Sequence, residues 1–179
     1  MKCIVTAIFS EAKAFIELFG LEKSQKKPFE VYQNSDVTLI VSGMGKLNSA
    51  IATTYISQNH TFEKIYNIGI CGTNDKTKEI GRLYGIKSVI DASTSKKYSI
   101  NQTGEILYCF DMIQKGETGV KKPALVDMES FGFYSAAIKF YKKDKICIYK
   151  IVSDHLDTTH ITNDFIYRLI KKATKELPW

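Results

Sequence analysis

The sequence predicts an α/β domain whose strands and helices are layered around a mostly parallel or mixed sheet. Short runs rich in isoleucine and valine, of the length of buried strands, alternate along the chain with segments whose apolar residues recur at helical spacing. Interleaved strands and helices are typical of layered α/β domains. With 179 residues, no Pro/Gly/Ser-rich linker and no internal repeat, the chain 1–179 is expected to form a single domain.

The first part of the chain predicts the order strand, helix, hairpin, helix, strand. Ser10 is expected to cap the first helix and Gly20 to end it, because a hydroxyl suits an N-cap and glycine tolerates the left-handed conformation beyond a helix. The residues 34–36 suit the turn of the hairpin. The predicted elements are a strand at 2–8, a helix with the apolar face Ala14, Phe15, Leu18 and Phe19, strands at 29–33 and 37–42, a helix at 47–58 and a strand at 64–69.

The remaining part continues the alternation around an irregular middle segment. A glycine-containing loop at 69–81 precedes the next strand, and the polar stretch 91–123 contains one strand-like run. The predicted elements are strands at 83–90, 106–110, 124–127 and 145–152, and helices at 129–141 and 161–176.

The composition argues against several classes of protein. It is 44% hydrophobic and 25% charged, as in ordinary globular proteins. No apolar run approaches the roughly 20 residues that span a bilayer, and charged residues come too early for a secretory signal. We therefore expect a cytoplasmic protein without a membrane partner.

The formal net charge is +6, but Arg82 and Arg168 are the only arginines and the lysines are scattered. This pattern is typical of a solvated surface, so no nucleic-acid partner is expected.

The cysteines and histidines do not predict a disulfide or a metal site. The four cysteines, at 3, 71, 109 and 147, are far apart and lie mostly among apolar neighbours, which favours reduced, packed thiols. His155 and His160 lie in a polar stretch without a nearby cysteine or third histidine. Metal binding there is an alternative, but no metal is expected.

Acids and glycine-rich segments follow several predicted strands. In open α/β sheets, ligands collect at the carboxyl ends of strands, where loops converge and helix N-termini offer free N–H groups. Glu11, Glu129 and Asp154 occupy such positions, as do the segments 42–45 and 67–72. Each acid also has a purely structural interpretation, since acids are favoured in first helical turns and aspartate is common in caps and turns.

The glycine-rich stretch at 42–46 fits neither common phosphate-binding motif. A Walker loop would require a glycine in place of Leu39 and a serine or threonine in place of Leu47. The dinucleotide fingerprint would require a glycine in place of Asn48. Both motifs are therefore excluded.

Taken together and in order, these segments resemble the nucleoside phosphorylase/nucleosidase family, particularly its methylthioadenosine/S-adenosylhomocysteine nucleosidase branch. The Met-Glu and Ser-Asp pieces are the most specific. The resemblance implies a three-layer α/β/α domain around a twisted mixed central sheet, a homodimer or larger homo-oligomer, a purine nucleoside substrate and no cofactor. The matching pieces are Ala7-Ile8-Phe9-Ser10-Glu11, Ser42-Gly43-Met44-Gly45-Lys46, Asn67-Ile68-Gly69-Ile70-Cys71-Gly72, Val126-Asp127-Met128-Glu129-Ser130 and Val152-Ser153-Asp154.

The resemblance also implies roles for single residues. Glu129 would accept hydrogen bonds from ribose hydroxyls, and Met128 would pack beneath the sugar. Asp154 would protonate the departing purine, for which it must carry or share a proton at neutral pH, and Glu11 would activate a water molecule. The other residues expected to contact the substrate are Ile8, Met44, Gly72, Phe110, Met112 and Ser153.

The resemblance favours hydrolysis over phosphorolysis. Phosphorylases of the family generally hold phosphate with arginines near the first helix and the glycine loop, whereas 10–19 and 69–77 contain none. The chain is also shorter than the usual family member, and the deficit is expected at 91–124, which normally supplies a strand, a helix and part of the loop that stacks on the base. Phosphorolysis, nucleoside binding without cleavage and an oligomeric scaffold remain alternatives.

Overall fold

The structure, a computed structural model, describes residues 1–116 and 118–178. Strands and helices alternate along these ranges much as the sequence predicts. The elements are β1 (Lys2–Thr6), α1 (Phe9–Phe19), β2 (Glu22–Gln25), β3 (Glu30–Gln33), β4 (Val37–Val41), α2 (Lys46–Asn59), β5 (Lys64–Thr73), β6 (Leu83–Asp91), β7 (Lys97–Ser99), β8 (Glu105–Cys109), β9 (Leu125–Asp127), α3 (Ser130–Ala137), β10 (Ile146–Asp154) and α4 (Asn163–Ala173). Short 3₁₀ turns at Lys143–Lys145 and Thr174–Glu176 flank the last two elements.

The long central strand β5 organises a mixed sheet. It pairs in parallel with β10 along one edge, and along the other edge first with β1 in parallel and then with β9 in antiparallel orientation. β9 continues through β8 and β6 back to β10, so these strands close a small hydrogen-bonded ring. On the far side of β1 the sheet continues with β4, β3 and β2, and β7 pairs with β6. The ring brings the second half of β5 close to the ends of β9 and β10.

Helices cover both faces of this sheet. Buried side chains of α2 and α3 belong to one apolar cluster, and those of α1 and α4 belong to another. The expected α/β/α layering around a mixed sheet is therefore confirmed. The helix residues that contribute are Ala52 and Ile56 from α2, Phe133 and Ala137 from α3, Ala12 and Phe15 from α1, and Ile166 and Ile170 from α4.

The start of α1 differs from the prediction. Ser10 lies inside the helix and Ile8 precedes it, because the Glu11 side chain turns back to accept the N–H groups of Ala7 and Ile8. Leu18 was assigned to the buried face of the helix but is exposed. The C-terminal prediction is confirmed, since Gly20 follows α1 with φ of 59°.

Two strands were not predicted, and several boundaries differ. β2 and β7 are short and mostly polar, so they carry no apolar alternation that would indicate a strand. β5 continues to Thr73, through the region assigned to a loop, while α3 ends at Ala137 and α4 spans Asn163–Ala173. Between β6 and β9, the described residues form β7, β8 and no helix.

Among residues 1–116 and 118–178, no helix is both long and apolar enough to cross a bilayer. The same ranges contain no group of three or more histidine, cysteine, aspartate or glutamate side chains arranged to hold a metal ion. All four cysteines are free thiols.

Candidate active site

A cavity of about 340 Å³ lies where the ends of β1, β9 and β10 meet the second half of β5. This volume falls within the roughly 300–1,000 Å³ of small-molecule pockets. Glu11, Glu129 and Asp154 all line it, although Glu11 precedes Glu129 by 118 positions and Asp154 by 143 positions in the sequence. The three carboxylates are thus brought to one cavity by strand pairing between distant parts of the chain.

Backbone N–H groups hold the Glu11 carboxylate in one orientation. Its Oε2 accepts from Ala7 N at 2.8 Å and Ile8 N at 3.3 Å, and its Oε1 accepts from Ile70 N at 2.9 Å. The residue is 3% exposed. Burial raises the pKa of Glu11, although Lys150 and the three N–H groups act in the opposite direction.

A glycine on β5 makes room for this carboxylate. A Cβ atom at Gly69 would lie 2.6 Å from Glu11 Oε1, closer than real Cβ contacts. Gly69 is therefore required by the close approach of the Glu11 side chain, which extends from α1.

Glu129 lies directly before α3, and the glycine-rich turn after β4 orients it. Its Oε1 accepts a hydrogen bond from Gly45 N at 2.8 Å. Gly45 has φ of 97°, a conformation that favours glycine, so the turn can present this N–H to the carboxylate. Burial raises the pKa of Glu129 to about 7, and the negative charge of Asp127 acts in the same direction.

Asp154 ends β10 and is held at both carboxylate oxygens. Oδ1 accepts from Leu156 N at 2.9 Å, and Oδ2 lies 2.6 Å from Ser153 Oγ. Ser153 Oγ also lies 3.1 Å from the carbonyl oxygen of Cys71. A hydroxyl has one hydrogen. The Ser153 hydroxyl can therefore direct its hydrogen to Asp154 Oδ2, to Cys71 O or between the two.

A buried lysine lies beneath the acids, and sequence reasoning missed it. Lys150 on β10 is 1% exposed, and its Nζ lies 2.9 Å from Asp127 Oδ2. Burial alone would lower the pKa of Lys150, but the charges of Asp127, Glu129 and Glu11 outweigh it and raise the pKa above its usual value. The signal in the sequence was a lysine inside the otherwise apolar strand 146–152.

Asp127 connects this lysine to the cavity. Its Oδ2 also accepts from the N–H and the hydroxyl of Ser130, and Ser130 Oγ lies 3.1 Å from Asn67 Oδ1. The other oxygen, Oδ1, has no hydrogen-bond partner in the described part of the protein, and Asp127 lines the cavity. Asp127 therefore keeps acceptor capacity beside the three predicted acids.

Most of the other predicted contact residues also line the cavity. Phe110 does not line it: its N–H donates to Asp127 O at 2.8 Å, and the apolar side chains that reach the cavity from this loop are those of Met112 and Ile113. The predicted residues that do line the cavity are Ile8, Met44, Gly72, Met112, Met128 and Ser153.

Comparisons with known proteins agree on the fold. No family model and no curated protein matches the sequence. Futalosine hydrolase of Helicobacter pylori matches with a TM-score of 0.82 and 15% identity, covering 97% of this chain and 94% of that one. A 5′-methylthioadenosine/S-adenosylhomocysteine nucleosidase from H. pylori matches with a TM-score of 0.78 and 16% identity over 97% and 94% of the two chains. The corresponding nucleosidase of S. pneumoniae matches with a TM-score of 0.80 and 13% identity over 98% and 96%. The chain therefore has the fold of these nucleosidases, as the sequence resemblance implied.

Proposed function

We propose that the protein hydrolyses the N-glycosidic bond of a purine nucleoside similar to methylthioadenosine or S-adenosylhomocysteine, releasing the free base and the sugar. The observation that carries the proposal is the presence of Glu11, Glu129 and Asp154 around one cavity of sufficient volume for a sugar. The solved structures with the same fold are nucleosidases and a futalosine hydrolase, which supports this reaction type.

Asp154 would act as the general acid. Breaking the glycosidic bond leaves a purine anion, which departs readily only when one of its nitrogens is protonated. The paired contacts of Ser153 Oγ, with Asp154 Oδ2 and with Cys71 O, suit a protonated Asp154. When the proton moves to the purine, Ser153 can turn its hydroxyl hydrogen to the new Asp154 carboxylate. Ser153 would therefore support both protonation states of the acid.

Glu129 would hold the ribose. A carboxylate offers about four acceptor positions. The hydrogen bond from Gly45 uses one of them and fixes the orientation, so that others remain for the sugar hydroxyls. Its negative charge would also stabilise the cationic character that the ribosyl ring gains as the bond breaks.

Glu11 would orient and deprotonate the attacking water. Its three backbone hydrogen bonds fix the carboxylate, and its raised pKa, caused chiefly by burial, makes it a better base than an exposed glutamate. Lys150 lies close enough to stabilise the ionised forms of both Glu11 and Glu129.

The charge of the cavity favours water over phosphate as the nucleophile. Among the described residues, no lysine or arginine lines the cavity, whereas four acids do: Glu11, Asp127, Glu129 and Asp154. A phosphate dianion would be repelled by those of the acids that are ionised and would find no side-chain cation to bind it.

A substrate panel tests the proposal. The protein is incubated with methylthioadenosine, S-adenosylhomocysteine, adenosine and inosine, with and without phosphate, and the free base is measured. Phosphate-independent release supports the hydrolase, and release that requires phosphate would establish a phosphorylase instead. Saturable shifts in melting temperature without base release would indicate a nucleoside-binding protein.

A second test concerns the acid. Asp154→Asn should retain nucleoside binding and lose about 10²- to 10⁴-fold in kcat, the usual value of a positioned acid. The matched control is Asp157→Asn, because Asp157 is exposed, bonds to Thr159 and does not line the cavity. Equal activity of the two variants would remove Asp154 from its role.

We also propose that the chain 1–179 acts as one cytoplasmic domain and assembles as a homodimer or larger homo-oligomer. Large apolar side chains are exposed along the cavity, where Met112 is 74% exposed and Met44 and Ile113 are about half exposed, and on the first turns of α2, where Leu47 is 73% and Ile51 49% exposed. An exposed apolar group of this kind is typical of an interaction surface. Light scattering at micromolar concentration would report the oligomeric state.

A further inference from the structure

The residues 111–115, which we call the strap, run along the cavity after β8. A backbone hydrogen bond fixes the chain just before the strap, from Phe110 N to Asp127 O at 2.8 Å, and another fixes it just after, from Gly116 N to Leu156 O at 2.9 Å. Within the described residues, the backbone of the strap itself makes no hydrogen bond to another backbone group. The ends of the strap are therefore anchored, whereas its middle is free to move unless a side chain holds it.

The middle of the strap supplies apolar walls to the cavity. Met112 and Ile113 line the cavity, and each is more than half exposed. Gln114 also lines it, but its side chain bonds within the strap, from Nε2 to Met112 O at 3.0 Å. Apolar side chains gain free energy when a ligand removes them from water. The position of the strap therefore determines how much apolar surface a bound nucleoside covers.

One ion pair joins the strap to the rest of the described protein. Lys46 Nζ, at the start of α2, lies 2.8 Å from Asp111 Oδ1. The same ammonium group also pairs with Asp91 Oδ1 at the end of β6. The side chain of Asp91 is 7% exposed and that of Asp111 is 65% exposed. The bridge therefore has a buried half on β6 and an exposed half on the strap, and only the exposed half is readily screened by salt.

The buried half of the bridge fixes the ammonium group of Lys46. The hydroxyls of Ser93 and Thr94 also donate to Asp91. Burial alone would raise the pKa of Asp91, but the bonds from Lys46 and the two hydroxyls lower it to about 2. Burial would likewise lower the pKa of Lys46, but Asp111 and Asp91 raise it. Both groups are therefore charged at neutral pH, and Lys46 is a stable point of attachment.

The backbone of Lys46 is fixed against the part of the site assigned to the ribose. Gly45, the residue before it, donates its N–H to Glu129 at 2.8 Å. Gly132 on α3 packs so closely on this turn that an added Cβ would lie 1.9 Å from Lys46 O. Helix α3 begins directly after Glu129. Lys46 therefore contacts the support of Glu129 through its backbone and the strap through its side chain.

We infer that Lys46 is a positioning residue that holds the strap along the cavity through Asp111. This inference rests on the proposed nucleosidase function. Anchored in this way, Met112 and Ile113 cover a nucleoside whose ribose is bound by Glu129. Lys46 does not line the cavity, so the bridge acts on the affinity for the nucleoside and not on the cleavage step.

Kinetics with methylthioadenosine test the inference, because this substrate is uncharged and salt does not change its attraction to the protein. Asp111→Asn should raise KM by about 2- to 5-fold, the range of an exposed ion pair, because the variant must order the strap on binding. The single-turnover rate of cleavage should not change. Asp111→Glu should keep KM close to the wild-type value, since it retains the carboxylate. The wild-type KM should rise with salt, whereas that of Asp111→Asn should stay constant.

Two further variants separate this contact from a general loss of charge. Glu105→Gln is the matched control: Glu105 pairs with Lys78 at 2.9 Å at the other end of β8 and does not line the cavity, so KM should stay at the wild-type value. Adding Asp111→Asn to Lys46→Met should leave KM unchanged, because the pair is already broken. A thermal melt establishes that each variant is folded, and the exposed substitution Asp111→Asn carries the test if Lys46→Met is not.

The possible outcomes are distinct. A raised KM with an unchanged cleavage rate, in Asp111→Asn but not in Glu105→Gln, supports the inference. A wild-type KM in Asp111→Asn would overturn it and leave the nucleosidase function standing. An equal rise in Glu105→Gln, or a slower cleavage step in Asp111→Asn, would also overturn it. Release of no base by the wild-type protein from any nucleoside of the panel would overturn the proposed function itself.

Discussion

Replacing Gly69 by alanine should remove most of the activity by displacing Glu11. The added Cβ would lie 2.6 Å from Glu11 Oε1, whereas ordinary contacts begin at 3.4 Å, so the carboxylate must move by about the difference, 0.8 Å. Strand β5 cannot easily yield, because β1 and β10 pair with it on both edges. A movement of this size would break the Ile70 hydrogen bond, and a misplacement of about 1 Å can cost about 10²-fold in rate.

The assay is base release under single-turnover conditions, with a thermal melt to establish that the variant is folded. Gly85→Ala is the matched control, because its Cβ would meet only the Tyr149 ring, at 3.4 Å. The reasoning also predicts that adding Gly69→Ala to Glu11→Ala has little further effect on either stability or activity, since the clashing carboxylate is gone. A folded Gly69→Ala variant with wild-type kcat would refute the role given to Glu11.

Three further predictions concern stability and assembly. Lys150→Met should lower the free energy of unfolding by about 3–5 kcal/mol in urea denaturation at pH 7, because the buried Asp127 would lose its cation; a loss below about 1 kcal/mol would contradict this. The folded-state pKa of Glu129 is about 7, above the ordinary value of 4.5, so its stabilising contribution is complete below pH 4.5 and is lost as the pH rises through 7. The wild type should therefore lose stability relative to Glu129→Gln between about pH 5 and pH 8, and a constant difference in urea midpoints would count against the raised pKa. The double variant Leu47→Glu/Ile51→Glu should shift the protein toward monomer in light scattering, because two charges would enter the exposed apolar surface; an unchanged mass would place the interface elsewhere.

Local residue patterns in the sequence predicted most of the strands and helices. The isoleucine- and valine-rich runs predicted the strands from β1 to β10 that have buried apolar residues, and Gly20 marked the end of α1. The short polar strands β2 and β7 were missed, because they pair at exposed positions and carry no apolar alternation. Ser10 was misassigned because the carboxylate of Glu11, rather than a hydroxyl, satisfies the N–H groups before α1.

The candidate site was predicted in part. Glu11, Glu129 and Asp154 could be singled out because each follows a strand in a segment that resembles the nucleosidases. Phe110 could not be distinguished from Met112 by sequence, since both are apolar residues of one loop and only the path of the backbone after β8 decides which one reaches the cavity.

The sequence by itself determined the order of strands and helices and the positions of the three acids, because these depend on spacing and on the chemistry of neighbouring residues. Only the tertiary structure decided that the ring of β5, β10, β6, β8 and β9 closes and that Lys150 is buried beside Asp127. The physical reason is that these features depend on pairing between strands far apart in the chain, and local periodicity carries no information about which strands pair.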